Sequence, residues 1–251
     1  MLNAYLAATQ NLLQSPGAPS TLYSTANLTT FINTARGQLA GEAECVRFLA
    51  TISTVIGQRN YQFSALSTGV AATTGISGVF NVRAIRYAVA SGYQFVYSRA
   101  WEWFDFFYNN NPVPASGAPV DWSQHRQGSA GTSTGSGASG SFYLDPVPDL
   151  VYNLTCDACC YPQPLAADGD VEAIPYPFTD AVPYFAAYLA LLSAQTDARM
   201  ADAERFFGYY TTFKDRARQF SNPPLSRSQY EQAVDLTVTN KLGLASQKAN
   251  G

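Results

Sequence analysis

The sequence is short of charge, of histidine and of long apolar runs. Only 13% of its 251 residues are charged, about half the usual share of a soluble domain. There is one histidine, His125, and there are three lysines, Lys214, Lys241 and Lys248. A histidine-based catalytic pair has almost nothing to draw on. The most apolar stretch, Tyr184 to Leu192, is too short to span a bilayer. Met1 to Gln14 hold no Lys or Arg, so no secretory leader is expected. Without secretion, the four cysteines, Cys45, Cys156, Cys159 and Cys160, are expected as reduced thiols.

Aromatic residues, by contrast, are abundant: 16 Tyr, 15 Phe and 3 Trp make up 14% of the chain. Disordered chains are charge-rich and aromatic-poor, so a folded protein is expected. Few charges and many tyrosines suit a surface that meets other protein. The net charge of -3 is unevenly spread. Residues 127–198 hold eight acids and no Lys or Arg, whereas the segments on either side are slightly basic. No basic stripe for tight nucleic-acid binding is present.

Along the chain, apolar residues first recur at helical spacing over 2–14, and again from Leu28 to Ala40 with Asn27 as cap and Gly41 as stop. Alternation then predicts strands over 45–52, 61–63, 79–89 and 93–97. Arg99 to Tyr108 reads as a short, mostly buried aromatic helix. Residues 112–141 read as a long loop, low in complexity from Gly128 to Gly140. Strands are predicted over 142–144 and 151–161, and helices over 181–195 and 198–220. In the last helix Met200, Ala203, Phe206, Tyr210, Phe213, Ala217 and Phe220 form a near-heptad seam. The expected bundle core is Leu28, Phe31, Ile32, Met200, Phe206, Tyr210, Phe213 and Phe220.

Motifs that could carry chemistry are weak. Gly131-Thr132-Ser133-Thr134-Gly135 fits a nucleophile pattern but lacks the strand before it and the helix after it. Cys156, Cys159 and Cys160 alternate on a strand, which sets Cys159 on the opposite face from the other two and prevents a converging metal site. Asp168-Gly169-Asp170-Val171-Glu172 lacks the full calcium-loop spacing and reads as an acidic turn. Trp101 and Trp103 read as core, and Trp122, in the long loop, as the exposed tryptophan that a carbohydrate-binding module would use. No enzyme activity, cofactor or metal is expected.

Four stretches, taken in order, resemble the head–tail adaptor (neck or connector) proteins of tailed bacteriophages. They are Leu22-Tyr23 with Leu28 to Gly41 and Glu44-Cys45-Val46; Ser98 to Asp105; Glu172 to Tyr188; and Asp202 to Tyr210. The resemblance implies a structural virion protein of the neck, assembled in the host bacterial cytoplasm as a ring of twelve copies below the portal. Its partners would be other copies of itself, the portal, and a tail tube, nozzle or tail-completion protein. Double-stranded DNA would pass through its channel without sequence-specific binding, and no membrane would be involved. The implied fold is α+β: a helical bundle from residues 1–42 and 176–222, a central antiparallel β insertion over 43–175 carrying loop 112–141, and an extended C-terminal arm, 223–251.

That arm would grip the portal. In it Val234, Leu236 and Val238 alternate against a rival helix-capping signal at Ser228 and Glu231, as in a segment ordered by a partner. Leu225, Tyr230, Val234, Leu236 and Val238 are the expected anchors. Asp168, Asp170 and Glu172, in the base-free segment, are candidate channel acids that would repel DNA. A tail nozzle or tail-completion protein and a carbohydrate-binding host-recognition module are the alternatives.

Overall fold

A computed structural model describes residues 1–14, 23–69, 71–90, 92–106, 115–126, 140–193 and 199–221. The chain opens with helices α1 (Leu2–Leu12) and α2 (Thr25–Ala43), then strands β1 (Arg47–Ser53) and β2 (Asn60–Gln62), a short helix α3 (Ala71–Thr74) and the hairpin β3 (Ile76–Val89) and β4 (Gly92–Ser98). A turn of helix, α4 (Trp101–Phe104), precedes β5 (Ser116–Gly117), β6 (Asp121–Arg126), β7 (Ser141–Asp145), β8 (Val147–Pro148) and β9 (Asn153–Pro162). Helices α5 (Ala181–Ser193) and α6 (Met200–Ser221) follow.

The expected architecture needs correction. Seven strands join in one large mixed sheet, ordered β1-β9-β3-β4-β6-β7-β2, and it dominates the fold. It is not a small insertion in a helical bundle. Helices α1, α2, α5 and α6 do pack on one another, and α2 also packs on β9. A single buried cluster, however, runs from Leu2 and Ile32 through Cys156 and Leu154 to Trp122 and Phe142. The physical reason lies in β9. Its even-numbered residues Leu154, Cys156, Ala158 and Cys160 are fully buried. It pairs with β1 on one side and β3 on the other, so it is an inner strand tied to residues far away in sequence. Strand period is local and legible, whereas long-range pairing is not.

Two ends of helices show how side chains set the boundaries. Ser24 Oγ accepts from the Asn27 amide (3.2 Å) and starts α2 three residues ahead of the expected site. Gly41 does not stop the helix, which runs through it to Ala43; a Cβ at Gly41 would be in ordinary contact with the Tyr161 ring at 3.6 Å. The stop comes at Glu44, left-handed at φ 51°, whose carboxylate accepts from Asn81 Nδ2 at 3.1 Å. The last carbonyl of α6, on Ser221, accepts from Arg83 (2.9 Å) and Arg47 (3.3 Å). Cations here complement the negative end of the helix dipole.

Further corrections concern single residues. Leu28, Ile32, Phe206 and Tyr210 are core, and Phe31 and Phe213 pack against it part-buried. Met200 is 53% exposed and Phe220 76% exposed, so neither is core. They are the two ends of the seam: Met200 begins α6, and the Phe220 ring meets that of Phe178 at 6.0 Å. The expected loop 112–141 holds a strand, β6, which pairs with β7 antiparallel and with β4 parallel. One large apolar residue in Asp121-Trp122-Ser123-Gln124-His125-Arg126 leaves no period to read. Trp122 itself is only 2% exposed, which removes the surface tryptophan that sugar binding would use.

Candidate interaction surfaces

The polar groups that drew attention in the sequence are engaged structurally. The His125 ring lies 4.3 Å from Trp101 and 6.2 Å from Tyr143 in an aromatic cluster. All four thiols are buried, and burial pushes each up to about 12. A thiol so shifted is a poor nucleophile at neutral pH. Among the described residues, no three His, Cys, Asp or Glu are grouped to hold a metal. Gly131 to Gly135 lie outside the described residues, as do Leu225, Tyr230, Val234, Leu236 and Val238.

The acidic turn ties the first residues of α1 to the segment before α5. Asp168 accepts from the Met1 amino group (2.7 Å) and the Asn3 amide (3.0 Å). Those bonds hold its carboxyl below the usual range. Asp170 accepts from the amides of Ala167 (2.7 Å) and Ala166 (2.6 Å), which lower it likewise. Glu172 is no channel acid. It is buried, takes two nitrogens of the equally buried Arg36 at 3.0 and 2.8 Å, and accepts from the Tyr5 hydroxyl at 2.9 Å and the Ile174 amide at 2.9 Å. Of the three, Asp168 keeps an exposed side chain (54%).

Three exposed groups of large apolar side chains stand out among the described residues. On β4 the aromatic alternation is inverted: Val96 turns inward, whereas Tyr93 (62% exposed), Phe95 and Tyr97 (60% exposed) turn to solvent. Register extends this face across the sheet. Leu49, 55% exposed, stands opposite Asp157, which stands opposite Ala84. The next row is Thr51, Thr155, Arg86 and Phe95. Between the rows lies a groove of about 280 Å³, with Leu49 and Phe95 in its walls. The Arg86 guanidinium sits 4.5 Å from the centre of the Tyr93 ring, a cation–π contact.

A second apolar group caps the end of the sheet. Val55, Ile56, Leu150 and Val151 are all exposed. Their two loops are tied by Thr54 N–H to Tyr152 O (2.9 Å), Tyr152 N–H to Thr54 Oγ1 (2.8 Å) and Gly57 N–H to Pro148 O (2.9 Å). The Tyr61 hydroxyl takes the Val55 amide (3.1 Å) and donates to Gln58 O (2.9 Å), so the tip is preorganised. On α6 the rings of Phe207 and Tyr209 are exposed, two residues apart and so on two sides of the helix. Beneath it Tyr184 stacks on Phe213 (5.8 Å), and Phe185 packs on Tyr210 (4.5 Å).

None of Leu49, Val55, Ile56, Leu150 or Val151 stood out in the sequence as a surface residue. The one available signal was the run Tyr93-Gln94-Phe95-Val96-Tyr97, whose alternation shows two faces without showing which is buried. Exposed apolar patches of this kind mark interaction sites. Large aromatic residues dominate the energetics of such contacts. Comparison with known proteins adds no relative: no protein-family model matches the chain, and no curated protein matches it significantly.

Proposed function

We propose that this chain is a structural virion protein, a head–tail adaptor that assembles as a ring below the portal and gives the tail its platform. The observation that carries the reading is the presence of separate exposed apolar surfaces on one chain of low charge: the β4 face, the tip and the α6 flank. A ring contact is heterologous, so each subunit must show one surface to the left neighbour and a different one to the right. Apolar patches held on a sheet and on a two-helix layer supply two such surfaces without ordering new segments. Residues 223–251 act as the portal-gripping arm, through Leu225, Tyr230, Val234, Leu236 and Val238. The base-free segment 127–198 weakens any hold on the DNA that passes.

Of the alternatives, the tail nozzle or tail-completion protein makes the same use of these surfaces and differs in location. The carbohydrate-binding module loses its exposed Trp122. Gold labelling of a tag on the exposed Tyr176 turn, in particles viewed by electron microscopy, tests the assignment. Label at the neck, between head and tail, is expected. Label at the tail tip supports the nozzle, and unlabelled particles overturn the virion assignment.

A further inference from the structure

The exposed sheet face and the end of α6 are neighbours. Arg47, the first residue of β1, lines the groove with Leu49, Asp157, Thr155, Arg86 and Phe95. The same Arg47 guanidinium bonds Asp157 and also donates to the carbonyl of Ser221 at 3.3 Å, joined there by Arg83 at 2.9 Å. The chain therefore leaves its last described helix at the wall of the groove, fixed by two arginines. The face beyond runs along β1 from Arg47 to Ser53, about 20 Å at roughly 3.3 Å per residue. Fewer than ten residues past Ser221 reach its far row.

The sequence after Ser221 fits the face that it meets. In the sequence Pro223 and Pro224 come next, and proline lacks the N–H that a helix interior needs. Further on, Val234, Leu236 and Val238 alternate with Asp235, Thr237 and Thr239, a period of two that presents one apolar side. Leu49, Tyr93 and Tyr97 offer exposed apolar area, and Arg86 offers a cation to Glu231 or Asp235.

We propose that residues 223–251 bind the exposed sheet face of their own chain, covering Leu49 and Tyr97 until a partner takes the segment away. The occupant is this segment, because the last described residue before it, Ser221, is bonded to Arg47 at the groove wall and the segment's sequence pattern matches the face. A second copy and an unrelated partner are the other outcomes of the test. The inference concerns the isolated chain and holds or fails apart from the portal reading. With that reading, it makes arm release a step in assembly.

The test places p-benzoylphenylalanine at Tyr97, and separately at Leu49, in the full-length chain. Both positions are exposed, so neither substitution removes core packing. The purified chain, mixed with an isotope-heavy copy, is irradiated and its crosslinks are mapped by mass spectrometry. Expected are crosslinks from both positions into residues 223–251, light to light and heavy to heavy. A full-length chain that also carries V234D, L236D and V238D is expected to lose the crosslink at least five-fold. Crosslinks that join light to heavy, crosslinks into any other segment, or no crosslink from either position overturn the proposal. So does an unchanged yield in the triple variant.

Discussion

Replacing Glu172 by Gln separates the two roles given to this residue, channel acid and structural anchor. Its carboxylate takes Arg36 Nε at 3.0 Å and Nη2 at 2.8 Å, with both side chains buried. Burial first, and the Glu172 charge second, raise the Tyr5 phenol far above its ordinary range, so Tyr5 acts as a donor to that carboxylate. The amide of E172Q removes the countercharge and sets an NH2 against donors on every side. Breaking a buried pair from one side costs roughly 3–5 kcal/mol. Arg36 keeps Gln163 O (2.7 Å) and Asn33 Oδ1 (3.2 Å), so the lower end applies. A loss of about 3 kcal/mol lowers the melting temperature by roughly 6–12 °C in a chain of this size. Urea unfolding followed by circular dichroism measures it. The double variant R36M/E172M, which removes both charges together, is expected to be more stable than either single change. An E172Q variant within about 1 kcal/mol of wild type, or a double variant no better than the singles, refutes the reasoning.

Three other outcomes follow. Gly75 sits at φ +67°, and a Cβ there would lie 2.6 Å from Val171 O, so Gly75→Ala should cost more than about 1 kcal/mol by thermal melting; a neutral change contradicts the close approach of Val171 to this turn. The folded carboxyls of Asp168 and Asp170 lie below their ordinary value of 3.8, so the stability that they add is present above that pH and is lost as pH falls through the folded values. Asp145, raised by burial, acts with the opposite sign. In melts taken from pH 7 to pH 2, D168N and D170N should therefore flatten the acid loss; an unchanged slope counts against the clasp. Finally, in a chain ending at residue 222, L49D on the exposed sheet face should leave stability within about 0.5 kcal/mol, and a loss above about 2 kcal/mol would show that Leu49 is covered by residues 1–222 themselves.

The long helices were legible because their apolar period is local. Their ends were not: Ser24 competes with Asn27 as cap, and α2 runs past Gly41 to the left-handed Glu44. Strand β9 was legible as a strand, but not as the inner strand that sets the fold, since Arg47 pairs with Cys159 across most of the sheet-forming region. Strand β6 carries no readable period because its burial rests on Trp122 and on polar residues such as Ser123, whose hydroxyl donates to Arg99 O at 2.9 Å. For the candidate surfaces, alternation in β4 was visible. Its polarity depends on Val96 lying opposite Ile85 on the core side, which a single sequence does not carry. Glu172 looked like one acid among several until the fold brought Arg36 to it from α2.

Portal capture by residues 223–251 is tested most directly by native mass spectrometry of the chain mixed with purified portal, beside a chain ending at residue 222. The full chain is predicted to give a ring-on-ring complex with one chain per portal subunit. The shortened chain is predicted to keep its circular dichroism spectrum and stay off the portal. A full chain that remains a monomer beside the portal, or a shortened chain that binds as well as the full one, contradicts the adaptor reading.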